Sequence, residues 1–145
     1  MHYSQSVEIL RDYCEYITQP ECNSLVIELK HYQDNMPLEY HDADVLVLPL
    51  KSLRGVADIP ISLLEAYASG LPVIATNIGG IPEIVSNEFL FPLGDSNALA
   101  DRIIHVLSHN DNPENLRKIS LQHSWDIVSR RYLKIFKDVL KETSS

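Results

Sequence analysis

The sequence predicts an α/β fold in which a parallel β-sheet is covered by helices on both faces. Short apolar runs alternate along the chain with segments of helical periodicity, an order typical of successive β-α-β units. The runs are rich in Val, Leu and Ile and show no polar alternation, as expected of strands buried on both faces. The length of 145 residues and the hydrophobic content of 45% suit one globular domain.

The first half of the chain is predicted to contain a helix, a strand, a short helical turn and a second strand. Apolar residues at three-and-four spacing indicate the helix, and Pro20 marks its latest possible end. In order, these elements are the helix through Val7, Leu10, Cys14 and Ile17, the strand 25–29, the turn 37–41 and the strand 45–48.

The second half is predicted from helix start and stop signals. Gly70 and Pro72 end a helix, while Asp95, Asn112 and Ser124 stand where N-caps are expected. In order, the elements are the helix 61–69, the strand 73–75, the short helix 81–85, the strand 89–91, the helix 95–107, a helix beginning at Pro113, and the final helix 125–140 with an apolar face of Trp125, Val128, Tyr132, Phe136 and Val139.

The composition argues against several classes of function. Twelve basic and 20 acidic residues give a formal charge of −8, which disfavours nucleic acid and anionic lipid as partners. No apolar run approaches the roughly 20 residues that span a bilayer, and no signal peptide is evident, so we expect a cytoplasmic protein. Cys14 and Cys22 do not form a CxxC pair, so neither a disulfide framework nor a zinc ribbon is expected.

Ligands of parallel α/β sheets bind beyond the carboxyl ends of the strands, which places the expected site in the loops 30–32, 50–60, 76–80 and 92–95. The loop 50–60 leads directly into a helix, whose amide groups and positive end favour an anion such as a diphosphate. Lys51 and Arg54 either add positive charge there or are solvated loop cations. Gly79 and Gly80 either allow the backbone to approach a ligand or form a purely structural turn.

Residues 65–85 read EAYASGLPVIATNIGGIPEIV, preceded by ADVLVLPL and followed by FLFPLGDSNALA. These segments, in this order, resemble the carboxyl-terminal domain of the GT-B fold glycosyltransferases of family 4, over about two-thirds of the chain. The resemblance implies a Rossmann-like domain that binds a nucleotide diphosphate sugar, usually linked to UDP or GDP. It also implies retaining sugar transfer without a catalytic metal or a cofactor.

Members of that family carry two glutamates eight positions apart, of which the first reaches the donor sugar and the second the ribose hydroxyls. Glu65 matches the second, and a carboxylate suits a vicinal diol because it accepts two hydrogen bonds. Ala57 stands where the first is expected. Asp58 either replaces it from a shifted loop or caps the helix before Pro60. The residues expected to contact substrate are Lys51, Arg54, Ala57, Asp58, Ile59, Pro60, Glu65, Gly79 and Gly80.

Two patterns have the spacing of metal sites, but their positions argue against that role. The triplet Asp42, Ala43 and Asp44 precedes a strand and is expected at the amino end of the sheet, away from the ligand crevice. His105 and His109 are four residues apart on a helix, where a solvated polar face is the simpler interpretation. We therefore expect no metal site.

The resemblance also indicates what the chain lacks. A complete family member has an amino-terminal acceptor-binding domain, and the phosphate-binding Arg and Lys of the family would lie before Met1. We expect residues 1–145 to be one donor-binding domain without its first strands, with catalytic residues outside the chain. Two hypotheses stand: a fragment or half of a glycosyltransferase, or a non-catalytic nucleotide-sugar-binding module that regulates another one, which Ala57 favours slightly. A separate acceptor-binding domain or self-association is expected in either case.

Overall fold

The computed structural model describes residues 34–55, 57–109 and 112–142. From Asn35 onward they belong to one of the two units into which the chain divides, Asn35–Ser145. The predicted helix through Val7 and the predicted strand 25–29 lie outside the described residues, as do Cys14 and Cys22.

The described part of the chain contains a parallel three-stranded sheet in the order β1-β2-β3. The strands are β1 (Leu46–Leu48), β2 (Val73–Thr76) and β3 (Leu90–Phe91). All residues of the central strand β2 are buried, which explains its continuous apolar sequence. The predicted α/β class with a parallel sheet is confirmed.

Helix α1 (Met36–Asp42) precedes β1, and helix α2 (Ile61–Ser69) connects β1 to β2. Helix α2 has the predicted bounds because Gly70, at φ 84°, adopts the left-handed conformation that ends it. The Leu71 amide then donates to the Ala66 carbonyl at 2.9 Å. Leu63, Ala66 and Tyr67 face the core from this helix.

Three helices follow the sheet: α3 (Ser96–Ser108), α4 (Pro113–Gln122) and α5 (Trp125–Glu142). Asp95 caps α3 by accepting from the Ala98 amide at 2.9 Å, and Asn112 caps α4 by accepting from the Glu114 amide at 3.0 Å. Both caps are where the sequence predicts them. The short helix predicted at 81–85 is instead a 3₁₀ turn, Ile81–Glu83, and a second 3₁₀ turn, Asn87–Phe89, shortens the predicted strand 89–91.

The core lies between the sheet and the helices and is built from aliphatic and aromatic side chains. Its buried members include Tyr40, Leu63, Tyr67, Val73, Ile74, Ile81, Val85, Leu90, Phe91, Val106 and Leu116.

Helix α5 contributes little to this core. Tyr132 is 57% exposed and Phe136 is 59% exposed, although both belong to its apolar face. The predicted amphipathic helix is therefore present, with much of its apolar face uncovered. In the described part of the chain no helix has the length and apolar character needed to cross a membrane.

Candidate functional site

The carboxyl ends of the strands bring three of the four predicted site loops together, and the fourth, 30–32, lies outside the described residues. Leu48, the last residue of β1, pairs with Ala75 of β2. The Thr76 hydroxyl donates to the Leu48 carbonyl at 3.4 Å, and the Asn77 amide donates to the Phe91 carbonyl at 2.9 Å. The loops that follow the three strands therefore start side by side at one edge of the sheet.

Asp58 joins two of these loops. Its Oδ1 accepts a hydrogen bond from the Gly80 amide at 3.1 Å. Pro60 occupies the N-cap position of α2, and no side chain caps that helix. The interpretation of Asp58 as a helix cap is therefore wrong, because its carboxylate turns toward Gly80. Whether Asp58 also contacts a donor sugar stays a prediction.

The pair Gly79–Gly80 packs directly on Asp58. Gly79 has a φ of 57°, and a Cβ placed on it would overlap the Leu53 side chain and lie 2.5 Å from Asp58 Oδ1. A Cβ on Gly80 would lie 2.7 Å from Asp58 Oδ2. The left-handed φ of Gly79 favours glycine at that position, whereas at Gly80, with φ −80°, the close approach of the Asp58 carboxylate favours it. This gives the structural interpretation of the pair a physical basis, while contact with a ligand stays a prediction.

Glu65 is exposed on α2, one turn after the helix begins at Ile61. Its Oε2 accepts a hydrogen bond from the Tyr40 hydroxyl at 3.0 Å. Tyr40 is only 7% exposed. Burial of its ring, followed by the hydrogen bond and the negative charge of Glu65, raises the pKa of Tyr40 to about 12.

Tyr40 was not among the residues singled out by the sequence. One signal for it exists: Tyr40 stands in the helical segment of α1, which precedes strand β1. A tyrosine that is buried there needs a hydrogen-bond partner for its hydroxyl. The identity of that partner depends on how α1 packs against α2, which periodicity does not reveal.

The remaining predicted residues lie along the loop 49–60. Lys51, Arg54 and Ala57 are exposed, whereas Ile59 is half-buried and Pro60 is buried. Ile59 packs against the core, and the Pro60 carbonyl accepts from the Leu63 amide at 3.1 Å as α2 begins. Ile59 and Pro60 therefore anchor the carboxyl end of the loop, while Lys51, Arg54 and Ala57 face solvent.

The patterns with metal-site spacing lie elsewhere. Asp44 is exposed at the amino end of β1, and the rings of His105 and His109 stack at the end of α3 with centroids 4.2 Å apart. Among the described residues, no three His, Cys, Asp or Glu side chains are grouped so that they could hold a metal ion.

A groove of about 390 Å³ lies between the two 3₁₀ turns and α4. Its lining includes Tyr67, Phe89 and Leu116, and it includes none of the residues predicted to contact substrate.

Comparison with known proteins gives a consistent result. The profile of the family described as glycosyl transferases group 1 matches residues 10–109. The amylovoran biosynthesis glycosyltransferase AmsK of Erwinia amylovora is 40% identical over 84 residues, which are 54% of this chain and 19% of that protein. The N-acetyl-alpha-D-glucosaminyl L-malate synthase of Bacillus anthracis is 30% identical over 119 residues, or 76% of this chain and 30% of that protein.

A solved structure has the same fold. Sucrose-phosphate synthase from Thermosynechococcus elongatus superposes with a TM-score of 0.69 and 21% identity, over 96% of this chain and 35% of that one. The chain thus spans 19% to 30% of the length of the two curated relatives. The family match covers well over half of the chain, and the resemblance found in its motifs is confirmed. The chain belongs to the group 1 glycosyl transferases, and its described part has the Rossmann-like α/β fold of a GT-B glycosyltransferase domain.

Proposed function

We propose that the chain is the donor-binding part of a retaining glycosyltransferase and holds a nucleotide diphosphate sugar at the carboxyl edge of the sheet. The observation that carries the proposal is Glu65, an exposed carboxylate anchored by Tyr40 one turn into α2. It stands beside the loops in which α/β sheets of this kind bind ligands. The relative AmsK is named as a glycosyltransferase, which supports sugar transfer as the reaction.

The diphosphate rests at the start of α2 in this proposal. The amide groups of the first helical turn and the positive end of the helix dipole favour an anion there, by about 0.3 to 1 kcal/mol at an exposed position. Lys51 and Arg54 are exposed in the preceding loop and add positive charge. These groups supply electrostatic stabilisation for the departing diphosphate, so the proposal requires neither a metal ion nor a cofactor.

The nucleoside lies against Glu65. An ionised carboxylate offers about four acceptor positions on two oxygens, and Tyr40 uses one of those on Oε2. The others suit the two adjacent hydroxyls of a ribose, which would donate to the carboxylate as a pair. The exposure of Glu65 leaves room for that contact.

The residues nearest the position of the first glutamate are Ala57 and Asp58. Ala57 carries no polar side-chain atom, and the Asp58 carboxylate accepts from the Gly80 amide and packs against the glycine turn. This observation favours a second candidate function, a module that binds a nucleotide sugar without transferring the sugar and acts on a partner glycosyltransferase. In both cases the acceptor is bound by another domain or chain.

The uncovered face of α5 is the surface we assign to that partner. Tyr132, Leu133, Ile135 and Phe136 are each more than half exposed, and contiguous apolar surface of this kind marks protein contacts. The occupant is a separate acceptor-binding domain or, in its absence, a second copy of the chain.

Calorimetric titration of the purified chain with UDP, GDP and ADP tests the proposal. We expect one nucleotide to bind, and its dissociation constant to be unchanged when EDTA is added, because the phosphates rest on amides and cations. A strict requirement for Mg²⁺ or Mn²⁺ would contradict the metal-independent site. Absence of binding to all three nucleotides would refute donor binding altogether.

A further inference from the structure

We infer that Tyr40 is a positioning residue that holds the Glu65 carboxylate in place and thereby makes the site selective for nucleotides with an intact ribose diol. The inference rests on the proposed function, in which Glu65 receives the ribose. It assigns a role to a residue of α1, which lies outside the loops predicted to contact substrate.

The Tyr40 ring is packed in the core and its hydroxyl is hydrogen-bonded to Glu65. Tyr40 is 7% exposed and belongs to the core cluster, so its ring is immobilised by packing. Its hydroxyl reaches Glu65 Oε2 at 3.0 Å across 25 positions of sequence. Glu65 itself is exposed on α2. A glutamate on a helix surface normally samples several rotamers, and an anchor at one carboxylate oxygen restricts that sampling.

The direction of the hydrogen bond is also fixed. Burial and the adjacent carboxylate raise the pKa of Tyr40 to about 12, so the phenol keeps its proton at neutral pH and donates it. The carboxylate is the acceptor and retains further acceptor positions for a ligand. Tyr40 therefore orients Glu65 without neutralising it, as a residue supporting a binding carboxylate should.

A purely structural role for the hydrogen bond makes a different prediction. If the bond only satisfied the buried hydroxyl, its removal would weaken all ligands equally or none of them. If it orients Glu65 toward a ribose, its removal must weaken ribonucleotides and spare analogues that lack the diol. The ratio of the affinities for a ribonucleotide and for an analogue without the diol therefore distinguishes the two roles, whereas the affinity for one ligand does not.

The experiment compares one nucleoside diphosphate with its 2′,3′-dideoxy counterpart. Both are titrated into the wild-type chain, Tyr40→Phe, Glu65→Gln and the control Tyr132→Phe, which removes a tyrosine hydroxyl from exposed helix α5. We expect Tyr40→Phe to weaken ribonucleotide binding by about 3- to 10-fold, the range for loss of one hydrogen bond. Binding of the dideoxynucleotide should not change, and the control should match the wild type in both titrations.

Each outcome has a distinct meaning. Loss of selectivity in Glu65→Gln but not in Tyr40→Phe overturns the inference and leaves the proposed function standing. Equal loss for both ligands in Tyr40→Phe also overturns it, because the hydroxyl is then structural. Unchanged selectivity in Glu65→Gln refutes the proposed function as well. Should Tyr40→Phe melt below the assay temperature, Glu65→Asp replaces it, since the shorter carboxylate loses the anchor but keeps its charge, and the same loss of selectivity is expected.

Discussion

Replacement of Glu65 by Ala should weaken nucleotide binding and leave the domain folded, if Glu65 has the proposed role. The substitution removes a carboxylate that is exposed and is held by one hydrogen bond from Tyr40. Loss of a charge-assisted contact to the ribose corresponds to about 1.5 to 3 kcal/mol, or a dissociation constant raised roughly 10- to 150-fold. Glu88→Ala serves as the matched control, because Glu88 is an exposed glutamate whose Oε1 accepts from the hydroxyl of the neighbouring Ser86 at 3.1 Å.

The same substitution also lowers the free energy of unfolding, because Tyr40 loses its hydrogen-bond acceptor. The Tyr40 hydroxyl loses its partner while its ring stays buried, which costs about 1 to 3 kcal/mol. Adding Tyr40→Phe should restore much of this stability without restoring binding. Calorimetric titration and thermal unfolding measure the two effects on the same samples. Wild-type affinity in folded Glu65→Ala would refute the assigned role of Glu65, and full recovery of binding in the double variant would refute the reasoning about its mechanism.

Three further predictions concern other parts of the structure. The pKa of Tyr40 is raised to about 12 in the folded chain, from about 10 in the unfolded chain. The stabilisation linked to this shift is therefore fully present below about pH 10 and is lost as the pH rises through about 12. Urea unfolding should show that the free energy of unfolding falls by at most about 2 to 3 kcal/mol between about pH 9 and about pH 11.5. Tyr40→Phe should make this fall smaller, and Tyr132→Phe should leave it unchanged. Gly79→Ala should destabilise the chain by more than about 1 kcal/mol, since it meets both a left-handed φ and the Asp58 carboxylate. Gly55 has a φ of 79° and nothing within 4 Å of an added Cβ, so Gly55→Ala should show only the destabilisation that comes from the left-handed backbone. Equal free energies of unfolding for Gly79→Ala and Gly55→Ala would contradict the packing argument. Finally, light scattering should detect self-association that Phe136→Ser reduces, with no donor hydrolysis by the isolated chain; a stable monomer that turns over a sugar nucleotide unaided would exclude the need for a partner.

The elements of this fold could be predicted because their signals are local. Gly70 ends α2 where the sequence indicates, and the Asp95 side chain caps α3, because each depends on a few neighbouring residues. The 3₁₀ turn Ile81–Glu83 was predicted as a longer helix. Here the chain turns back toward β3, and the proline that indicates a helix start is equally compatible with a single tight turn.

The contacts that organise the site could not be predicted in the same way. The Asp58 bond to Gly80 spans 22 positions and the Tyr40 bond to Glu65 spans 25. Each joins two elements whose relative placement is set by the packing of the sheet and helices, and helical or strand periodicity carries no information about such pairs. The motif names Glu65 and the two glycines as candidates for ligand contact, which stays a prediction, but it does not identify the residues that contact them in the structure.

These two carboxylates are also held in different ways. Tyr40 donates to Glu65, so the carboxylate keeps acceptor positions and faces solvent. The Gly80 amide instead donates to Asp58, whose carboxylate packs against both glycines of the turn. In the proposed function, Glu65 is the carboxylate for the nucleoside, and Asp58, which packs on the glycine turn, is the carboxylate nearest to Ala57. Nucleotide affinity and sugar transfer would then depend on different residues, so the first would not require the second.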